Sequence, residues 1–133
     1  MTTTKEMNNA FADEMKKDLG IHIRLSKKQY EEAQAKMLAD LQTNPISAIT
    51  WSAEGMVKTQ AEYEMWLWIE RGMAENEPRE VLQTVTKEVQ YRVRSFFGSN
   101  STSMFSNAVE RAKADAYVRL AETLESMCKH YGI

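Results

Sequence analysis

Apolar positions recur along most of the chain at the three- and four-residue spacing of amphipathic helices, with polar residues between them. Met7, Phe11, Met15 and Leu19 step by four, with Thr3 or Thr4 placed to cap the helix they predict. Gly20 follows where the left-handed residue after a helix C-terminus is expected. Ile21-His22-Ile23-Arg24-Leu25 then alternates apolar and polar side chains, the period of a half-buried strand. Ser26 with Gln29 makes a capping-box pattern and Leu25 with Tyr30 a hydrophobic staple, so a second helix is predicted to start at Ser26. Its apolar face is Tyr30, Ala33, Met37, Leu38 and Leu41, and Asn44-Pro45 ends it.

Residues 45–55 form a connector or short helix beginning at Ser47, and Ile46, Ile49 and Trp51 are expected to lie on the core. A third helix follows from about Met56, with Val57, Ala61, Met65 and Trp68 on one face. Residues 62–70 are its densest part: over 65–69 the helix is apolar on every side, which marks an element that others pack around. Pro78 suits the first position of a fourth helix, capped by Glu77 or Asn76 and carrying Leu82, Val85, Val89, Val93 and Phe96. Residues 89–97 are also rich in β-branched side chains, and a strand there, paired with residues 21–25, is the alternative. After the loop Gly98-Ser99-Asn100-Ser101, which Ser101, Thr102 or Ser103 can turn into a cap, a stripe from Phe105 to Tyr131 predicts a long last helix.

The expected fold is mainly α: one domain over residues 1–133, of four or five helices, with room for a short two-stranded β element around residues 21–25. Two prolines and five glycines in 133 residues suit long helices, and 43% hydrophobic with 27% charged residues is ordinary globular usage. The formal net charge of −2 is unevenly spread, at −4 over residues 45–77 and +2 over 78–133. No domain-wide basic footprint of the kind that binds phosphate backbones is present. A single cysteine, Cys128, excludes an intrachain disulfide and suits a reducing compartment. The polar N-terminus and the lack of a long apolar run complete the expectation of a cytoplasmic protein with no membrane contact.

Recognisable catalytic chemistry is absent from the pattern. There is no phosphate-cradling glycine loop, no nucleophile elbow and no helix with paired histidines. Glu-x-x-His pairs for a di-metal bundle are missing, and Cys128 with His130 falls short of a zinc ligand set. No cofactor, metal or catalytic residue is therefore expected, and the protein is read as a non-enzyme.

Binding chemistry has two candidate locations. Lys87, Tyr91, Arg92, Arg94, Phe96 and Phe97 interleave basic and aromatic side chains, as surfaces for single-stranded nucleic acid do, with Arg92 and Arg94 as phosphate contacts. His22-Ile23-Arg24-Leu25-Ser26-Lys27-Lys28-Gln29-Tyr30 resembles the strand-to-helix entry of ribbon-helix-helix DNA-binding proteins. That resemblance implies a dimer in which His22 and Arg24 face bases from a two-stranded ribbon. Ser26 would then open a helix near phosphate, with Lys27 and Lys28 beside it. The resemblance covers about thirty residues, and Asn44-Pro45 replaces the family's short inter-helix turn.

The favoured expectation is instead a small intracellular regulatory or adaptor protein that binds another macromolecule, chiefly a protein. Its interface candidates are Tyr63, Met65, Trp66 and Phe97, in a chain with nine methionines. A short, motif-free chain is also typical of phage or mobile-element accessory proteins that inhibit host machinery, a reading with no residue behind it. The DNA-binding regulator is the alternative, nucleic acid the second partner class, and a homo-oligomer is compatible with both.

Overall fold

The computed structural model describes the backbone of residues 4–97 and 108–133, and the side chains of residues 12–96 and 109–133. Four long helices account for most of it: α1 (Thr4–Thr43), α3 (Ala53–Met73), α4 (Pro78–Phe97) and α5 (Ala108–His130). Between α1 and α3 lie a single turn, α2 (Pro45–Ser47), and a five-residue π-helical turn (Ala48–Ser52). The expected caps at Thr3, Ser101, Thr102 and Ser103, the loop 98–101 and Phe105 lie outside the described residues.

No strand occurs among the described residues. The helix boundary foreseen at Gly20, the β element at 21–25 and the helix start at Ser26 are all replaced by one 40-residue helix, about 60 Å long. The reason is visible in which side chains are buried. Met15, Leu19 and Ile23 step by four into the core, and Ser26 continues their stripe, while Ile21 and Leu25 stay half exposed. A strand would have put Ile21, Ile23 and Leu25 on one face. Burial of Ile23 without its two apolar neighbours is the helical outcome.

The same competition is settled the same way in α4. Leu82, Val85 and Val89 are fully buried and Val93 packs against the cluster they form, whereas Tyr91 is exposed. The β-branched run thus lies in a helix whose apolar stripe outweighs its residue preferences. Pro78 opens α4 as foreseen, its first helical bond running from the Val81 N–H to the Glu77 carbonyl at 3.1 Å. Asn44 ends α1 and starts α2, its side-chain oxygen accepting from the Ser47 N–H at 3.2 Å with Pro45 at the first helical position.

The helices pack antiparallel in chain order, and α3 touches α1, α4 and α5. Its Ala61, Met65, Trp66 and Ile69 join Ala116, Leu120 and Leu124 of α5 and the α4 stripe in one buried cluster. The apolar segment around residue 66 is therefore the hub its composition foretold. Gly72 lets α3 and α4 approach: a Cβ there would lie 2.9 Å from Cγ1 of Val81. At the far end of α5, Gly132 takes the left-handed conformation (φ 69°). The Ile133 N–H bonds back to the Cys128 carbonyl at 2.8 Å, a Schellman closure. It seats Ile133 against the core, and Tyr131 donates its hydroxyl to Asp18 Oδ2 of α1 at 3.0 Å.

Candidate functional site

Among the described residues, the turn between α1 and α3 and the end of α1 before it carry the largest accumulation of exposed apolar side chains. Ile46, Ile49 and Trp51 are 79%, 69% and 70% exposed, and Leu38 and Leu41 on the last turns of α1 are exposed with them. The expectation that Ile46, Ile49 and Trp51 lie on the core is corrected here. Ala48 and Ser52, four residues apart, are the ones that turn inward. Ser52 donates its hydroxyl to Asp40 Oδ2 of α1, pinning the turn to that helix. With the inward positions taken by an alanine and a serine, the bulky apolar residues face out.

Among the sequence candidates for a partner surface, Met65 and Trp66 are core residues and present almost no surface. Tyr63 is half-buried and meets Tyr30 edge-on at 5.7 Å. Phe97 ends α4, and its side chain lies outside the described residues. Trp68, expected on the inward face with Ala61 and Met65, is 40% exposed. Both tryptophans sit on one helix two residues apart, so about 200° separates them and only one can face the core centre.

The basic candidates do not assemble into one surface. Lys27 and Lys28 reach Glu31 and Glu32 one turn on, each at 4.0 Å, as an exposed, charge-balanced helix face does. Arg24 is exposed on the same helix and Arg94 on α4. Arg92 is held by Glu88 at 3.0 Å and by the Tyr117 hydroxyl at 2.9 Å, with its guanidinium 5.3 Å from the Tyr117 ring centre. Phe96 packs on that same ring. His22 stacks on Trp66 with centroids 5.0 Å apart and planes 8° apart, and it sits 3.7 Å from Asp18. Residues 21–25 are helical, so among the described residues they form no two-stranded ribbon of the kind the ribbon-helix-helix family uses.

The stacked His22 and Trp66 form one side of a recess of about 260 Å³ between α1, α3 and α5. Its polar lining includes Ser26, Glu62, Arg119 and Thr123. Glu62 is 16% exposed and lies 4.0 Å from Arg119. Burial pushes its carboxyl above the usual carboxylate range, and the positive charges of Arg119 and Lys58 offset part of that rise. Ser26 Oγ is buried with no hydrogen-bond partner. The sequence pattern places Ser26 at a helix cap and carries no signal that joins it to Glu62 and Arg119, because residues so far apart in the chain meet only through the packing of three helices.

Among the described residues, no group of three or more His, Cys, Asp or Glu side chains is placed to hold a metal ion, and no helix is long and apolar enough to cross a membrane. Comparison with known proteins found no match to the chain among family models, curated proteins or solved structures.

Proposed function

We propose that the protein is a non-enzymatic regulatory or adaptor protein that binds a partner protein through the end of its α1–α3 hairpin. The observation that carries this reading is the exposure of Leu38, Leu41, Ile46, Ile49 and Trp51 within fourteen residues of chain. Single exposed apolar residues are ordinary, but several large ones gathered at one end mark a surface that another molecule covers. Tryptophan is enriched among the residues that dominate binding energy at protein interfaces. The Ser52–Asp40 hydrogen bond and the Asn44 cap hold the turn in shape before binding, which lowers the ordering cost of association.

The test compares tagged wild-type protein with an Ile46→Asp, Ile49→Asp variant, checked for unchanged helicity. Co-purification from the native host of one stoichiometric protein, lost in the variant, is the expected result. A partner retained unchanged by the variant refutes this location for the interface. Light scattering on the purified protein separates a foreign partner from self-association, since a dimer that the variant dissolves would reassign the surface to a second copy of this chain.

A further inference from the structure

The outer face of α1 is a surface separate from the hairpin end. From Lys27 to Thr43 this helix has no buried residue, although it stays helical throughout. Helices in folded proteins owe most of their stability to a packed face, so the second half of α1 still has surface to bury. On the side turned away from the bundle, Ile21, Leu25, Lys28, Glu32, Ala35 and Ala39 follow one another at alternating steps of four and three, and all six are exposed. That spacing keeps them on one line along the helix, the line along which two helices pair in a coiled coil. It lies roughly 150° around α1 from the buried Met15, Leu19, Ile23 and Ser26, so the rest of the molecule stands behind it.

The line is its own complement when reversed. Two large apolar side chains come first, two small ones last, and a pair of opposite charges lies between. Laid antiparallel on a second copy, about a two-fold axis level with Tyr30, it sets Ile21 against Ala39, Leu25 against Ala35 and Lys28 against Glu32. The symmetry makes each pairing twice. Large meets small in the outer layers, and the central layer gathers two lysines and two glutamates. Lys28 and Glu32 already stand 4.0 Å apart within each helix, so that layer becomes a network of alternating charge. On one flank Glu31 faces its counterpart, but each copy carries its own Lys27 at 4.0 Å. A parallel pairing would instead set Lys28 on Lys28, Glu32 on Glu32 and alanine on alanine, so charge and size both select the antiparallel one.

We propose that the protein forms a two-fold dimer by antiparallel pairing of its α1 helices along residues 21–39. The two hairpin ends then lie at opposite ends of the pair, with Ile46, Ile49 and Trp51 left uncovered.

The experiment measures the mass of the whole chain, 15.3 kDa per copy, by sedimentation equilibrium over a concentration series. A mass of two copies is expected. Lys28→Glu and Glu32→Lys each put four like charges in the central layer and should raise the dimer Kd about tenfold or more. Mixed in equal amounts, these two variants should recover a dimer containing one copy of each. Every cross-copy pairing in that layer is then opposite in sign, while the pair inside each helix stays alike. Leu25→Glu should give the mass of one copy with unchanged helicity by circular dichroism. The direction of pairing is read by oxidation in a Cys128→Ser background: Leu25→Cys with Ala35→Cys should form a covalent dimer, and neither change alone should cross-link. The Ile46→Asp, Ile49→Asp variant should keep the dimer, so that failure of the hairpin-end reading and failure of this one are told apart. A wild-type mass of one copy up to about 1 mM overturns the proposal and leaves the face to a foreign occupant. It is equally overturned by a mixture no more dimeric than its parts, by single-cysteine variants that cross-link as readily as the double one, or by a dimer that Ile46→Asp, Ile49→Asp dissolves.

Discussion

Replacing Gly20 with alanine decides by its sign whether α1 is one helix. In the continuous helix, Gly20 is an interior position with no left-handed backbone, and a Cβ built there meets only Arg24 Nη1 at 3.5 Å, an ordinary contact with a flexible side chain. Alanine then gains the full difference in helix propensity, about 0.8–1.0 kcal/mol. For 133 residues, an unfolding entropy of about 2.1 cal/mol/K per residue amounts to roughly 0.28 kcal/mol/K, so Tm should rise by about 3 °C. If Gly20 instead closed a first helix in the left-handed conformation, alanine would cost about 1–2 kcal/mol and Tm would fall by about 4–7 °C. Urea unfolding monitored by circular dichroism, with the denaturant slope unchanged, gives the free energy, and a thermal scan gives the shift. A lower midpoint in both would refute the continuous helix and reopen a break ahead of residues 21–25.

Three further outcomes follow from the packing. Gly72→Ala should destabilise despite its helix-propensity gain, because its Cβ would lie 2.9 and 3.2 Å from the two methyls of buried Val81, whose χ1 is restricted in a helix. Overpacking of about 1–3 kcal/mol then exceeds a gain of about 1 kcal/mol. In a Val81→Ala background the same change should turn stabilising, a coupling that a urea double-mutant cycle reads directly. Trp66→Ala should cost about 3–5 kcal/mol and Trp68→Ala distinctly less, so equal urea midpoints for the two variants would contradict their assigned burial. Burial, together with the hydrogen bond to Asp18 and the nearby negative charge of Glu14, pushes the Tyr131 phenol up to about 12 from 10.0. A raised folded-state value means that this contribution is complete below pH 10 and is lost as pH rises from 10 towards 12. Tyr131→Phe should therefore show a shallower loss of stability over that window than wild type.

Much of the helical architecture follows from local rules. Asn44-Pro45 ends α1 because the residue before proline avoids the helical region while the asparagine side chain caps the next turn, and both effects act within four residues. Pro78 opens α4 for the same kind of reason, and the stripes Leu82–Val85–Val89 and Ala116–Leu120–Leu124 need only the 3.6-residue period to be seen. Tertiary structure decided the rest. Residues 21–25 satisfy a strand period and a helix period at once, and only the core beneath Leu19 and Ile23 selects the helix. Trp66 and Trp68 are alike in the chain, but α1, α4 and α5 occupy an arc around α3 that includes one and leaves the other at its edge. Ile46, Ile49 and Trp51 look like core residues by composition and are surface because Ala48 and Ser52 hold the inward positions of their turn. Ser26, Glu62 and Arg119 form a recess because three helices bring them together from places 36 and 57 residues apart along the chain. Propensity and periodicity act over one or two turns of helix, so the sequence alone marked the apolar stripes and the boundaries at Asn44-Pro45 and Pro78, while burial, and with it the continuity of α1 through residues 21–25, depends on what lies across the bundle and belongs to the tertiary fold.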